Sequence, residues 1–275
     1  MSDPGRIVET EILINRIEVF ERLYQSPAHV RDLVEETDQS RRTISRAVNE
    51  LEDANFVERG DRGVEATTAG RLALERLNAY FEELDDVRNA EAVLDPIPPE
   101  ADISTDVVVG CEPILGVDPT PYRPLERLHD DLMDATGYRA VVPTLTDSRD
   151  VRLLYEHVVT EEHPAELVVP PDVFETLRTE FPRRMATMSD TGQFSVFVGS
   201  QPLYGLVLLD HERPGADTPQ TTAYVVVFDE RRGVHGLLVN DSDEALRWAT
   251  DQFLSYRREA DDLTDALTPD ADGGV

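Results

Sequence analysis

The sequence predicts a two-domain α+β chain: a small helical domain closed by a hairpin, then a larger domain of alternating strands and helices. Three observations predict it. A length of 275 residues suits two modest domains better than one core. Apolar residues recur at helical spacing through residues 9–54, whereas residues 104–260 alternate short apolar runs with helical stretches. Between them lies Asp95-Pro96-Ile97-Pro98-Pro99-Glu100, the composition of a stiff connector. The expected division is a flexible N-terminus (1–8), a first domain (9–85), a helix end and linker (86–103), a second domain (104–260) and an acidic, disordered tail (261–275).

In the first domain, Leu13, Ile17, Phe20, Leu23 and Tyr24 form one helical stripe over residues 9–26, ended by Ser26-Pro27. A short second helix turns Val30, Leu33 and Val34 inward. Thr37-Asp38-Gln39-Ser40 is a turn with Ser40 as helix cap. The third helix, residues 41–54, has Ile44, Val48 and Leu51 on its inner face and Arg42, Ser45, Arg46 and Asn49 on its outer face. Residues 56–59 and 64–67 then flank Gly60-Asp61-Arg62-Gly63, a hairpin tip. This order is that of a winged helix-turn-helix. A fourth helix carries Leu74, Leu77, Phe81 and Leu84, a stripe that calls for a partner surface. The second domain or the same helix of a second copy would supply one; dimerisation is the usual solution, making the expected protein a homodimer.

The charge pattern sharpens this picture. The chain contains no lysine; its 26 basic residues are all arginine, against 56 acidic ones, for a net charge of −30. Such an excess of like charge is tolerable where salt screens it, which points to a salt-accumulating halophile, an archaeon. Acids are about one-fifth of all residues, yet residues 39–49 contain three arginines and no acid. A surface that must approach phosphate needs that combination. Arg42, Arg46 and Asn49 are expected to read base edges in the major groove. Gln39, Ser40, Arg41 and Thr43 would hold the helix on the backbone, with Ser45 on the same face. Arg62 at the hairpin tip, and Arg59 beside it, would reach phosphate or the minor groove. The expected partner is double-stranded DNA. A rival is an adaptor whose winged helix binds protein, which the −30 charge favours and the acid-free helix opposes.

Residues 38–51, DQSRRTISRAVNEL, followed by Val57-Glu58-Arg59-Gly60 and Thr67-Thr68-Ala69-Gly70-Arg71, resemble archaeal winged-helix transcriptional regulators. In these a T-x-x-G sequence often opens the helix after the wing.

The second domain reads as strands at 107–109, 140–144, 165–169, 194–198, 204–209, 223–228 and 234–239, with helices at 124–134, 151–159, 171–185 and 242–260. The first half is expected to be largely parallel and the later strands antiparallel hairpins. Ala165-Glu166-Leu167-Val168-Val169-Pro170, Leu203-Tyr204-Gly205-Leu206-Val207 and Ala245-Leu246-Arg247-Trp248-Ala249 resemble the effector domain called the methanogenesis regulatory protein middle domain. The layout is also similar to one half of a phospholipase-D-like fold. That resemblance implies an effector-controlled regulator, without the catalytic motif.

Chemistry of other kinds finds little footing. Phospholipase-D catalysis and a Walker loop both need a lysine, which the chain lacks, and no G-x-S-x-G turn is present. A hydrolase built on scattered carboxylates is the remaining enzymatic rival. One cysteine excludes an internal disulfide and, with six scattered histidines, gives no zinc pattern. His157 and His163, with Glu161 and Glu162 between, read as solvated surface, and Cys111 as a buried small residue. No cofactor or metal is expected. Apolar runs such as 225–228 are far too short to span a bilayer, so no membrane association is expected and the location is cytoplasmic. If a small-molecule effector binds, strand ends are the place, nominating Thr144, Ser148, Arg149 and nearby Arg123 for an anionic metabolite.

Overall fold

The computed structural model describes residues 4–212, 215 and 219–267, with residues 4–8 described in backbone alone. The chain divides into two compact units, Met1–Leu84 and Asp85–Val275. The whole is mixed α+β, a helical N-terminal unit with a hairpin and a second unit built on a large sheet.

The N-terminal unit runs α1 (Pro4–Asn15), α2 (Ile17–Gln25), α3 (Val30–Glu36), α4 (Arg41–Asp53), β1 (Val57–Gly60), β2 (Gly63–Ala66) and the start of α5 (Thr68–Leu94). Helix begins at Pro4, within the segment 1–8 expected to be a flexible end. The single stripe expected over 9–26 is two helices, broken at Arg16, whose guanidinium is held 2.7 Å from Glu50 of α4. Phe20, Leu23, Leu33, Ile44, Ala47, Val48, Leu51 and Leu74 close the core. Ser40 caps α4 by accepting the Thr43 N–H at 3.2 Å. The β1–β2 pairing leaves Asp61-Arg62 as the turn.

Thr67 ties the hairpin exit to the core. Its N–H donates to the Phe56 carbonyl at 3.0 Å, its hydroxyl donates to the Asn55 carbonyl at 2.8 Å, and the same oxygen accepts the Gly70 N–H at 3.0 Å. Gly70 lies so close to this strand that an added Cβ would stand 2.0 Å from the Phe56 carbonyl oxygen. The T-x-x-G spacing therefore has a steric and hydrogen-bonding cause.

The fourth-helix stripe is divided. Leu74 and Leu77 are buried in the core of their own unit, while Leu72, Tyr80, Leu84 and Val87 are exposed. The helix also runs on through the segment read as a linker. Ala90 and Val93 are buried in the second unit's core, with Ile97, Ala101 and Ile103 packed against it. The prolines of 95–100 thus end a helix instead of spacing two domains.

The second unit continues with α6 (Thr105–Val108), β3 (Glu112–Leu115), α7 (Arg123–Met133), β4 (Ala135–Val141) and α8 (Ser148–Tyr155), then a π-helical turn at Glu156–Thr160. Next come β5 (Ala165–Val169), α9 (Pro171–Glu180), α10 (Pro182–Asp190), β6 (Phe194–Val198), β7 (Gly205–His211), β8 (Gln220–Phe228), β9 (Val234–Asn240), α11 (Asp243–Arg258), β10 (Asp261–Asp262) and a 3₁₀ turn at Thr264–Leu267. One eight-stranded sheet has the order β10-β6-β5-β4-β7-β8-β9-β3. The pairs β4–β5 and β5–β6 are parallel, and the rest are antiparallel. Alternate residues serve opposite faces. Val207, Leu209, Tyr224 and Val226 join the core on one face; Leu206, Leu208, Val225 and Val227 join the other.

Three expectations for this unit change. Residues 107–109 are not a strand: Ser104 caps α6, accepting the Asp106 N–H, and the strand begins only at Glu112. The helix over 171–185 is two helices, because Pro182 cannot continue the α9 ladder. The acidic segment 261–267 is ordered. Thr264 Oγ1 accepts the Val196 N–H at 3.0 Å, and Leu267 is buried, so one hydroxyl and two leucines outweigh the charge of that stretch. The remainder of the expected tail, residues 268–275, lies outside the described residues.

His157 is buried, with its ring 5.2 Å from that of His163 and 6.3 Å from that of Tyr138. The solvated-surface reading fails because the π-helical turn rotates this side chain inward. Burial holds its pKa below the ordinary 6.5. Below that pH the unfolded chain binds the proton that the folded chain refuses, so stability falls as pH drops through and below about 6.5. Urea midpoints at pH 7.5 and 5.5 should show this decline, and His157→Gln should flatten it. Parallel declines in both proteins would refute the assignment.

Candidate nucleic-acid interface

α4 exposes one polar face because its apolar residues all turn inward. Arg41, Arg42, Thr43, Arg46 and Asn49 are exposed and Ser45 is half-buried. No acid lies in the first turn, so the free N–H groups and positive end of the helix dipole meet no carboxylate of their own. Arg41 and Arg42 form no ion pair among the described residues.

The other expected contacts are tethered inside the unit. Gln39 Nε2 donates to Glu18 of α2 at 2.7 Å. The Ser40 and Thr43 hydroxyls are 2.9 Å apart and bonded to one another. Arg46 pairs with Glu50 at 2.7 Å, Arg59 with Glu52 at 2.8 Å, and Arg62 with Glu65 at 3.5 Å. Asn49 accepts from Arg59 Nη2 at 2.7 Å, which joins the helix face to the hairpin. The Arg46 and Arg62 side chains are 74% and 80% exposed. Exposed pairs of this kind are worth about 0–1 kcal/mol, so exchanging a carboxylate for a phosphate costs little. Sequence shows the arginine-rich face but not these partners, which come from α2, β1, β2 and α4 itself.

The four residues nominated for a ligand are not brought together as a site. Thr144 lines a cavity in the second unit. Arg123, Ser148 and Arg149 are exposed; Ser148 bonds the capping carboxylate of Asp147, and the Arg149 backbone N–H does the same. The cavity instead gathers His129, Tyr138 and Asp150, residues that no sequence motif singles out.

Cys111 is half-buried, and burial together with the Asp86 charge pushes its thiol up to about 11. At pH 7–8 the thiolate is scarce, which is the reverse of a redox-sensing environment. Iodoacetamide should label it more slowly than free cysteine, and Cys111→Ser should leave DNA binding unchanged in the presence of peroxide. Labelling as fast as free cysteine would overturn this. Among the described residues no group of three metal-capable side chains occurs, and no helix is long and apolar enough to cross a membrane.

Two family models match the chain. Residues 121–259 match the methanogenesis regulatory protein FilR1, middle domain, and residues 11–89 match the HVO_A0261 N-terminal domain. No curated protein matches the sequence at a significant level. Among solved structures, TrmBL2, described as an archaeal chromatin protein with a novel mode of DNA binding, aligns at 9% identity and TM-score 0.42, over 95% of this chain and 100% of that one. Phosphatidylserine synthase of Haemophilus influenzae Rd KW20 aligns at 14% identity and TM-score 0.37, over 56% of this chain and 40% of that one.

Proposed function

The chain belongs to the family of the methanogenesis regulatory protein FilR1 middle domain, and we propose that this member is a DNA-binding transcriptional regulator of a halophilic archaeon. The observation that carries the proposal is the outer face of α4, acid-free over residues 39–49 and led by Arg41 and Arg42, which form no ion pair among the described residues. The N-terminal unit acts as a winged helix-turn-helix. Arg42, Arg46 and Asn49 read bases; Gln39, Ser40, Arg41, Thr43 and Ser45 set the helix on the backbone; Arg59 and Arg62 contact the flank from the wing. Two copies bind two half-sites, joined through the exposed apolar residues of α5, Leu72 and Tyr80 among them. The second unit takes up an effector and shifts the placement of the reading heads. Its fold is that of a phospholipase-D-like half that performs no catalysis, in keeping with a chain that has no lysine. The protein works in the cytoplasm, without a cofactor.

Genome-wide immunoprecipitation from the host tests this. Sharp promoter peaks for the wild type, absent from an Arg42→Ala, Arg46→Ala double variant, are the expected result. No peaks under several growth conditions would transfer the α4 face to a protein partner.

A further inference from the structure

The sheet of the second unit leaves a cavity of ≈ 90 Å³ beneath α7 and α8. A water needs on the order of 10–15 Å³ of such space, so this opening exceeds the gaps of close packing several-fold. It lies at the end of the sheet where the parallel strands β4 and β5 finish, with Val141 and Val169 on its wall. That is the end at which open α/β sheets receive ligands. Leu128, Leu154, Leu177, Val207 and Val226 make the rest of the wall mainly apolar.

One part of the lining is polar. His129 Nε2 lies 2.7 Å from Asp150 Oδ1. Asp150 Oδ2 accepts the Thr146 hydroxyl at 2.7 Å and the Asp147 N–H at 3.3 Å. Burial raises the Asp150 pKa, but the hydrogen bonds from His129 and Thr146 more than offset it, and the carboxyl stays below its ordinary range. Tyr138 lines the same space, and its hydroxyl makes no hydrogen bond among the described residues. Burial and the Asp150 charge keep that hydroxyl protonated, so it remains a donor. The side chain is half-buried, and a hydroxyl with no protein partner among the described residues is available to donate to a ligand there.

We propose that this cavity binds a compact, uncharged and mainly apolar molecule whose single hydrogen-bond acceptor meets the Tyr138 hydroxyl beside the Asp150–His129 pair. The apolar wall selects against any charge. The Asp150 carboxylate repels an anion in particular, and its oxygens already serve three donors, which leaves little for a cation. The ligand class therefore differs from the anionic metabolite suggested by Arg149.

The site would supply the effector input of the regulator proposed above, and it depends on that reading only for this role. Its test uses the full chain without DNA. Phenol serves as the probe and benzoate as the anion of similar shape. Melting temperature and methyl-group NMR report binding. Phenol should raise the melting temperature in proportion to its occupancy and shift the methyl signals of Leu154 and Val207. Benzoate and Tyr138→Phe should each weaken binding by about tenfold, the loss of one hydrogen bond or one favourable charge state. Val207→Phe should abolish it by filling the space; Tyr138→Phe, being nearly isosteric, keeps the test sound if that variant folds poorly. Absence of phenol binding, equal binding of benzoate, or undiminished binding by Tyr138→Phe would each overturn the site. Phenol binding by a protein that occupies no promoter would leave the site standing and remove the regulator reading.

Discussion

Arg42→Ala and Arg46→Ala are each expected to weaken operator binding roughly 5- to 150-fold, the loss of a base contact worth about 1–3 kcal/mol. The two differ in the free protein. Arg42 forms no ion pair among the described residues, whereas Arg46 lies 2.7 Å from Glu50. Glu50 keeps its second partner, Arg16, at 2.7 Å, so removing Arg46 should hardly move the melting temperature. Arg62→Ala should behave otherwise. A lost phosphate contact lowers affinity on all sequences alike and reduces the slope of log affinity against log salt by about 0.9. Fluorescence anisotropy on the immunoprecipitated operator and a scrambled duplex, across a series of KCl concentrations, separates the two patterns. Unchanged operator affinity in both the Arg42 and the Arg46 variants would refute the placement of α4 in the groove. In concentrated salt the phosphate contribution shrinks, so on the proposed reading base contacts and the avidity of two copies would carry most of the selectivity.

Gly70→Ala should damage the N-terminal unit more than any exposed arginine change. The new methyl carbon would stand 2.0 Å from the Phe56 carbonyl oxygen, 2.8 Å from its carbon and 3.0 Å from Phe20 Cζ. That carbonyl cannot easily withdraw. It accepts from the Thr67 N–H at 3.0 Å, and the Phe56 N–H is bonded to the Leu51 carbonyl at 2.9 Å. Overpacking of this kind costs about 1–3 kcal/mol or more, and each kcal/mol lowers the melting temperature of a unit this size by roughly 4–8 °C. Thr67→Val, which keeps the shape but loses the hydroxyl, should cost about 1 kcal/mol. Circular dichroism melts of the full chain give both values. A Gly70→Ala protein that melts with the wild type would show that the hairpin exit yields, and would remove the steric account of the T-x-x-G spacing.

Much of the architecture is legible because local chemistry and tertiary packing agree. The α4 residues Ile44, Val48 and Leu51 are buried as their spacing predicts, and Ser40 caps the helix it was expected to cap. β5 and β6 fall on the residues expected, 165–169 and 194–198. Errors arise where one residue overrides a pattern. Three consecutive valines at 107–109 look like a strand, but Ser104 nucleates a helical turn before them and Gly110, at φ 73, ends it. β3 escapes notice because Pro113 is a poor strand residue, tolerated here at the sheet's edge. The α4 face is visible as a gap in an acidic sequence. The tethers from Asn49 to Arg59 and from Gln39 to Glu18 are not, being set by folding across 10 and 21 residues. The cavity is hidden for a similar reason. Its leucines and valines read as ordinary core, and His129 meets Asp150 only across 21 residues.

The outermost strands of the large sheet have a bearing on how this protein survives at high concentration. An open β edge is a template on which another chain can add a strand. One edge here is only the pair Asp261–Asp262, and the other is four residues long and interrupted by Pro113. In molar salt charges are screened within about 3 Å, so carboxylates alone would guard such an edge poorly. Shortness and a missing N–H are matters of geometry, and no electrolyte weakens them. The −30 charge keeps the chain hydrated, while resistance to strand-by-strand aggregation is left to features that salt cannot reach.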